Sequence, residues 1–261
     1  MTDEQTYLQF AQDLAYKAGD IMRRHLQIGI AAQTKSDGSP VTIADTEIDN
    51  LVVETIKSTY PEHAVLSEEG DISPTPAEYT WVCDPLDGTQ PYTFGVPVSL
   101  FSIALVKDGM PILGVMYDPY EKRMYHAIKG EGAYLNGEKI TVNDQSSLAN
   151  NHVALPGSAE ELLDSGGLLH EAIKQQIKTF TFVCVTAEAA LVATGQIVAN
   201  VYGHNSPWDI AAIKIIVEEA GGKVTSLSGE EQRYDQPIKG AIVSNGRVHD
   251  ELASMVKEKL R

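Results

Sequence analysis

The sequence is poor in cysteine and contains no long apolar run. Its two cysteines, Cys83 and Cys184, both lie in apolar stretches, which is typical of small core residues and not of a disulfide framework. No stretch approaches the roughly 18 consecutive apolar residues that a membrane span requires, and the first residues are acidic and amphipathic. We therefore expect a cytoplasmic protein that does not bind membranes.

Positive charge is also scarce. The chain has 20 Lys and Arg against 36 Asp and Glu, which gives a formal net charge of -16. Because binding to nucleic acid or to an anionic lipid surface needs a basic face, we expect neither as a partner. An acidic protein that handles a phosphorylated metabolite would need metal cations to mask its charge at the binding site.

Several common site motifs are missing as well. The sequence contains no HExxH, CxxC, GxSxG or GxGxxG. The nearest approach to a phosphate-binding loop is GAYLNGEK, residues 132–139, in which Glu138 stands where the lysine should be. Asn136-Gly137 between two β-prone stretches predicts a hairpin there instead.

The elements of the first half follow from apolar spacing. The hydrophobic content of 43% can bury a core of one large domain or of two small ones. A long first helix is predicted from Thr2 or Asp3, and a second from Thr42 or Asp45 to about Lys57. Predicted strands follow at 63–67, 79–83, 98–106, 112–117 and 123–129.

The composition turns polar at residues 143–151, and beyond it predicted strands and helices alternate. The strands are expected at 153–155, 180–185, 197–202 and in KVTSL and GAIVS, and the helices at 160–178, 187–194, 208–220 and the end of the chain. We predict a layered α+β or α/β fold with two subdomains and an active site at their interface. The first subdomain (1–145) holds long helices and an antiparallel sheet, and the second (146–261) is α/β.

The stretch WVCDPLDGT, residues 81–89, places Asp84 and Asp87 where a buried strand is predicted to end. One interpretation is a plain turn, because Asp-Pro-x-Asp-Gly is favourable turn chemistry. The other is a ligand site, since converging carboxylates repel each other unless a cation or a proton lies between them, and ends of open sheets commonly hold ligands. Oxygen ligands without His or Cys favour Mg²⁺ or Mn²⁺ over zinc.

Two further acidic stretches have ordinary alternatives. Glu68 and Glu69 follow a predicted strand and precede Gly70, which is compatible with a solvated loop. Asp209 opens the predicted helix of PWDIAAIKIIVEEAGG, residues 207–222, and by itself it is explained by a helix cap.

Taken together, four ordered stretches resemble the inositol monophosphatase family, part of the magnesium-dependent, lithium-sensitive sugar phosphatases. They are KSDGSPVTIAD (35–45), LSEEG (66–70), WVCDPLDGT (81–89) and WDIAAIKIIVEEAGG (208–222). The resemblance covers nearly the whole chain. It implies a layered αβαβα sandwich of the inositol monophosphatase and fructose-bisphosphatase type, and a homodimer.

The resemblance also implies metal ligands. Glu68, Asp84 and the backbone carbonyl of Leu86 would bind a first Mg²⁺. Asp84, Asp87 and Asp209 would bind a second. The implied total is two or three ions, with Mn²⁺ as an alternative.

The implied catalytic residues lie beside these ligands. Thr89 paired with Asp45 would help to activate the attacking water, and Glu68 belongs to the same catalytic set. The backbone N–H groups of Gly88 and Thr89 would cradle the phosphate, where glycine permits a close approach.

The position of the substrate's leaving group is less well defined. Inositol-specific members carry a glutamate seven residues before the equivalent of Asp209, and this chain has Tyr202 there. A stretch near Thr186 replaces the usual Gly-Ser/Thr-Ala of the sugar pocket. His204 and Lys35 are further candidates for substrate contacts, and each is also explained as a solvated loop residue.

The implied function is magnesium-dependent hydrolysis of a small phosphate monoester by a phosphoric monoester hydrolase. Inositol 1-phosphate is the leading substrate, and histidinol phosphate, fructose 1,6-bisphosphate and 3′-phosphoadenosine 5′-phosphate stay open. The alternative from another class is a metal-binding regulatory module without catalysis. The presence of Thr89, Asp45 and Glu68 argues against that alternative.

Overall fold

The computed structural model describes residues 2–35, 38–70, 77–158 and 160–261, so that Ser36 and Asp37 of the lysine loop lie outside the described residues. The described helices are α1 (Asp3–His25), α2 (Ile43–Thr59), α3 (Thr89–Thr93), α4 (Ser165–Lys174), α5 (Val185–Ala193), α6 (Pro207–Glu219) and α7 (His249–Lys257). The described strands are β1 (Ala32–Thr34), β2 (Pro40–Thr42), β3 (Ala64–Ser67), β4 (Tyr79–Asp87), β5 (Leu100–Lys107), β6 (Met110–Asp118), β7 (Arg123–Ile128), β8 (Gly132–Leu135), β9 (Glu138–Ile140), β10 (His152–Ala154), β11 (Lys178–Phe180), β12 (Ala199–Tyr202), β13 (Lys223–Thr225) and β14 (Ala241–Ser244).

The described strands form two large sheets and a small β1/β2 hairpin. The first sheet has the order β3-β4-β5-β6-β7-β8-β9 and is antiparallel apart from its β3/β4 pair. The second sheet has the order β11-β10-β12-β14-β13 and is mixed, since β10 runs parallel to β11 and β12 while β14 runs antiparallel to its neighbours. The expected boundary near residue 145 falls between β9 and β10, and the division into subdomains stays a prediction.

The layers follow from the alternation of side chains along the strands. On β4, Trp81 and Cys83 pack with α1 and α2, whereas Val82 packs on the opposite face with α5 and α6. On β14, Val243 packs with α5 and α6, and its neighbour Ile242 packs with α4 and α7. The order of layers is therefore αβαβα, and the predicted layered α+β sandwich is confirmed.

The middle layer depends on α6, which lies between the two sheets. Its segment IAAIKIIV is buried throughout, as expected of a helix that is covered on all sides. Even Lys214 is buried, and its ammonium donates to Glu218 at 2.7 Å and to Glu231 at 2.8 Å. The middle of α6 is therefore packed between the two sheets.

The second helix begins as predicted, and the structure identifies its cap. Thr42 is the N-cap residue, and its hydroxyl accepts the N–H of Ala44 at 3.2 Å. In return, Oδ2 of Asp45 accepts the N–H of Thr42 at 2.9 Å, which completes a capping box. The other oxygen of Asp45 faces the end of β4.

Two elements are shorter in the structure than the sequence predicts. The helix expected at 160–178 covers only Ser165–Lys174, because Asp164 caps it by accepting the N–H of Gly167 at 3.1 Å. The strand expected at 180–185 ends at Phe180, because the carboxylate of Glu188 accepts the N–H of Phe182 at 2.6 Å and draws the chain out of the sheet.

Candidate active site and metal centre

Asp84 and Asp87 come from the end of β4, where pairing with β5 is irregular. Asp84 is paired with Ser102 but Asp87 with Leu100, so β4 contains one extra residue, a β-bulge. In a regular strand, side chains three residues apart point to opposite faces. The extra residue brings both carboxylates to one side, and the N–H of Leu86 donates to Oδ1 of Asp84 at 2.9 Å.

The third carboxylate comes from the first turn of α6. The N-cap of this helix is Ser206, so the alternative interpretation of Asp209 as a cap is not supported. One carboxylate oxygen from each of Asp84, Asp87 and Asp209 lies within 4.8 Å of the others. These three residues are called the acidic cluster below.

The electrostatics of the acidic cluster favour a cation. Burial, and then repulsion from Glu68 and Asp209, raises the pKa of Asp84 well above its usual range. Burial and repulsion from Asp87 raise the pKa of Asp209 to about 7. A divalent cation would relieve both effects, because it supplies opposite charge where three carboxylates converge. The residues present therefore fit a hard, oxygen-bound cation.

Glu68 joins this site through the β3/β4 pairing. Ser67 lies opposite Cys83, and the N–H of Glu68 donates to the carbonyl of Cys83 at 3.3 Å. The ammonium of Lys35 donates to Glu68 at 2.7 Å and also to Glu69. Burial alone would lower the pKa of Lys35, but the two glutamates outweigh it and the pKa is raised. Lys35 therefore contacts the carboxylates, and its second partner, Glu69, was not among the predicted site residues.

Thr89 and Asp45 are in contact, as the predicted pairing requires. Oγ1 of Thr89 lies 3.1 Å from Oδ1 of Asp45 and 3.0 Å from the carbonyl oxygen of Leu86. Asp45 is 1% exposed, and burial raises the pKa of its carboxyl group. The arrangement holds one hydroxyl and one buried carboxylate beside the acidic cluster.

Gly88 connects β4 to α3 with a φ of +85°, in the left-handed region. A Cβ at this position would lie 2.7 Å from the carbonyl oxygen of Val98 and 3.0 Å from Cβ of Cys184. Both the conformation and the close approach therefore require glycine.

Two residues of the second half hold Asp87. Oδ2 of Asp87 accepts the N–H and the hydroxyl of Thr186, each at 2.6 Å. The thiol of Cys184 lies 3.3 Å from the same oxygen. Thr186 is fully buried, so its hydroxyl faces the acidic cluster and has no surface exposed for a substrate. The sequence identified Cys184 only as a small core residue, and apolar neighbours gave no signal of this contact.

Tyr202 contacts the acidic cluster, and the ring of His204 lies 5.6 Å from the ring of Tyr202. The hydroxyl of Tyr202 donates to Oδ2 of Asp209. Nε2 of His204 lies 2.9 Å from Oε2 of Glu160, and this contact raises the pKa of His204. Glu160 was not predicted as a site residue, because the sequence placed it in an ordinary helix. Residues 181–184 and 202–204 together are called the outer rim below.

Residues 181 and 182 of the outer rim are held by a buried carboxylate that sequence reasoning missed. Besides the N–H of Phe182, Glu188 accepts the hydroxyl of Thr181 at 3.0 Å and the amide of Asn200 at 2.7 Å. Burial raises the pKa of Glu188 to about 7. The available signal was a single glutamate within the otherwise apolar stretch VTAEAALVA.

Comparison with known proteins identifies the family. A family model described as the inositol monophosphatase family matches residues 3–261. The chain belongs to the inositol monophosphatase family. Members of the inositol monophosphatase family are phosphoric monoester hydrolases, and this activity class extends to the chain. The alternative of a purely regulatory metal-binding module is accordingly not retained.

Relatives within the inositol monophosphatase family carry different names. A Thermotoga maritima protein named fructose-1,6-bisphosphatase/inositol-1-monophosphatase is 32% identical over 253 residues, 96% of each chain. A Mycobacterium tuberculosis protein named histidinol-phosphatase is 33% identical over 261 residues, 94% of this chain and 95% of its own. A solved structure described as a Thermotoga maritima IMPase has a TM-score of 0.87 at 31% identity and covers 97% of each chain. The family is shown, whereas similarity alone does not select a substrate.

Within the described residues, none of the helices combines the length and apolar character needed to cross a lipid bilayer.

Proposed function

We propose that the protein hydrolyses a small phosphate monoester in a reaction that depends on Mg²⁺, with Mn²⁺ as an alternative ion. The observation that carries the proposal is the convergence of three carboxylates from two separate halves of the chain, within 4.8 Å, beside the Thr89/Asp45 contact. Membership of a phosphatase family supports the same reaction class.

Two overlapping sets of ligands are proposed, as the family resemblance implies, and the convergence of Asp84, Asp87 and Asp209 supports the second. Glu68, Asp84 and the carbonyl of Leu86 form one set, and Asp84 contributes with Asp87 and Asp209 to the other. When bound, the ions supply Lewis-acid activation of water and stabilise the leaving oxygen. Two or three ions are proposed. Their charge also lets a strongly acidic chain bind an anionic substrate.

The residues of the chain handle the water and the phosphate. Because the hydroxyl of Thr89 lies at hydrogen-bonding distance from Asp45, its oxygen is oriented to accept a proton from a water on the far side. Asp45 can take the hydroxyl proton of Thr89 as that oxygen accepts the proton of the water, since the Asp45 carboxylate is buried and fixed by the capping box. The N–H groups of Gly88 and Thr89 are proposed to bind phosphate oxygens.

The leaving group is proposed to be a polyol or a related small alcohol, with inositol 1-phosphate as the first substrate to test. Histidinol phosphate, fructose 1,6-bisphosphate and 3′-phosphoadenosine 5′-phosphate are the alternatives. The contact between Tyr202 and Asp209 favours keeping these alternatives, because the position that holds a sugar-binding glutamate in inositol-specific members faces a carboxylate here. A cytoplasmic location and a homodimer are proposed with the function.

The test is release of phosphate from these four substrates, with MgCl2 and with EDTA, ranked by kcat/KM. We expect phosphate release with MgCl2 and none with EDTA. The kcat/KM of one substrate should exceed the others by about a hundredfold, which corresponds to about 2.7 kcal/mol of transition-state discrimination. Release that is unchanged by EDTA would contradict the metal-dependent mechanism.

Metal binding is measured separately from turnover. A ligand that binds only the folded protein raises the melting temperature as its concentration passes the dissociation constant. We expect MgCl2 alone to raise the melting temperature of the wild-type protein. A protein that is stabilised by MgCl2 but inactive on every substrate would contradict the proposed substrates and leave the metal site intact.

A further inference from the structure

Tyr202 and Asp209 connect the second sheet to the central helix. Tyr202 is the last residue of β12, and this strand is paired with β10 on one edge and β14 on the other. Asp209 lies in the first turn of α6. The hydroxyl of Tyr202 donates to Oδ2 of Asp209, so a side chain anchored in a sheet reaches a carboxylate of the acidic cluster.

This contact determines which oxygen of Asp209 is available. A carboxylate offers two oxygens, and its terminal torsion is broad unless a partner fixes it. The N-cap residue of α6, Ser206, makes no side-chain cap bond, and the cap role does not fall to Asp209. With Oδ2 occupied by Tyr202, Oδ1 remains for an ion.

A second carboxylate of the acidic cluster shows the same arrangement. Oδ2 of Asp87 accepts two hydrogen bonds from Thr186, which is fully buried in α5. Donors from the second half of the chain therefore orient two of the three carboxylates. Such partners of ligating carboxylates typically change metal affinity by 10-fold to 100-fold when they are removed.

We infer that Tyr202 is a positioning residue, which orients Asp209 for a divalent cation and does not bind the leaving group of the substrate. The inference rests on the proposed function, because it needs the acidic cluster to bind Mg²⁺. It changes the interpretation of the sequence, in which Tyr202 is a candidate for substrate contact. It also means that substitution at this position alters the metal site before it alters substrate choice.

The test compares Tyr202→Phe with the wild-type protein by thermal titration with MgCl2 alone, without substrate. Removal of the hydroxyl is expected to raise the dissociation constant for Mg²⁺ by about 10-fold to 100-fold. With Mg²⁺ saturating, KM for the best substrate is expected to stay within twofold of wild type. Tyr234→Phe is the control for the loss of a phenol hydroxyl, because Tyr234 is buried and lies outside the acidic cluster.

The inference is overturned if the substitution changes KM and leaves the dissociation constant for Mg²⁺ unchanged. If Tyr202→Phe binds Mg²⁺ as the wild type does and KM rises, Tyr202 contacts the substrate. If MgCl2 fails to stabilise the wild type as well, the proposed function fails first. A double variant sharpens the result: in an Asp209→Asn background, Tyr202→Phe should cause no further loss of Mg²⁺ affinity, and an additive loss contradicts a role through Asp209.

A further variant, Tyr202→His, tests the same inference in the event that Tyr202→Phe does not fold. Tyr202→His keeps a ring with an N–H donor at the end of β12. Its dissociation constant for Mg²⁺ is expected to exceed that of the wild type, since the donor reaches less far than the phenol. An unchanged dissociation constant in a folded Tyr202→His variant, together with a raised KM, overturns the inference.

Discussion

The acidic cluster and the outer rim lie side by side, yet the chain fixes them in different ways. Asp84 and Asp87 stand at the end of β4, where the pairing with β5 contains the bulge that brings both side chains to one side. Residues 181–184 leave the sheet, and the side chain of Glu188 holds their backbone. Backbone pairing holds the two aspartates of β4, whereas residues 181–182 of the outer rim are held by one buried carboxyl group.

The largest expected effect breaks the acidic cluster. Asp87→Asn keeps the shape of the side chain but removes a negative charge that a cation needs, so kcat/KM should fall by about 10³-fold. The metal-free protein should melt at the same temperature or higher, because burial raises the pKa of Asp87 and its charge is costly there. Phosphate release and thermal melting in EDTA measure both effects.

The matched control for this change is Asp144→Asn, which removes the same charge at an exposed position. It should leave kcat/KM unchanged. Activity retained in Asp87→Asn would remove Asp87 from the ligands.

The second prediction concerns the anchor of the outer rim and its dependence on pH. The pKa of Glu188 rises from 4.5 to about 7 on folding, so the folded protein favours the protonated form. As the pH rises from about 4 to about 8, the unfolded chain releases this proton first, and stability falls by on the order of 3 kcal/mol.

Glu188→Gln should lack this part of the pH dependence. Urea unfolding of both proteins at a series of pH values gives the difference in unfolding free energy. As the pH rises from about 4 to about 8, the unfolding free energy of Glu188→Gln should increase relative to that of the wild type. Parallel curves for the two proteins would contradict it.

The third prediction tests the close packing at the junction of the two regions. Gly88→Ala introduces a Cβ 2.7 Å from the carbonyl of Val98, in the left-handed conformation. The expected cost is about 2–4 kcal/mol of unfolding free energy, from the conformation and the contact together. Gly130→Ala is the control, since Gly130 has a φ of +82° and nothing within 4 Å of the added atom.

The cost of Gly130→Ala should be limited to about 1–2 kcal/mol, because only the backbone conformation is unfavourable there. The difference between the two variants in urea unfolding isolates the contact with Val98. Equal costs would show that the junction can relax.

The smallest expected effect lies in the outer rim itself. Val183 has a φ of +58° and is half exposed, although β-branched residues strongly avoid this conformation. Val183→Asn should stabilise the protein by about 0.5–1 kcal/mol, since asparagine tolerates the left-handed region. Val96→Asn, at a similarly exposed position without a positive φ, should not stabilise it. A loss of stability in Val183→Asn would show that the backbone conformation of Val183 is not a source of strain.

Much of the fold could be predicted because local patterns and tertiary packing agree. The Asn136-Gly137 hairpin has positive φ at both residues, as its turn type demands. Alternating apolar residues gave the strands of the first sheet, and the Thr42 cap gave the start of α2. The spacing of Asp84 and Asp87 raised a metal site as one of two interpretations, and the β-bulge brings both side chains to one side.

The remainder depended on contacts between distant residues. A run such as FTFVCV is strand-like in composition, and only the reach of Glu188 explains why it leaves the sheet. In the same way, nothing in the sequence indicates that the hydroxyls of Thr186 and Tyr202 face carboxylates. Hydrogen bonds between side chains leave no periodic pattern in the sequence, so only the three-dimensional structure identifies the partners of the acidic cluster.

The position of α6 between the two sheets has a consequence for the order of assembly. Asp84 and Asp87 belong to the first sheet, and Asp209 is carried by a helix whose burial requires both sheets. A folding intermediate with only one sheet formed would lack a complete set of ligands. With Mg²⁺ as the proposed ion, its uptake is expected to follow the docking of the layers. Pulsed hydrogen exchange with and without MgCl2 should then show protection by the ion only after β12 and β14 are already protected.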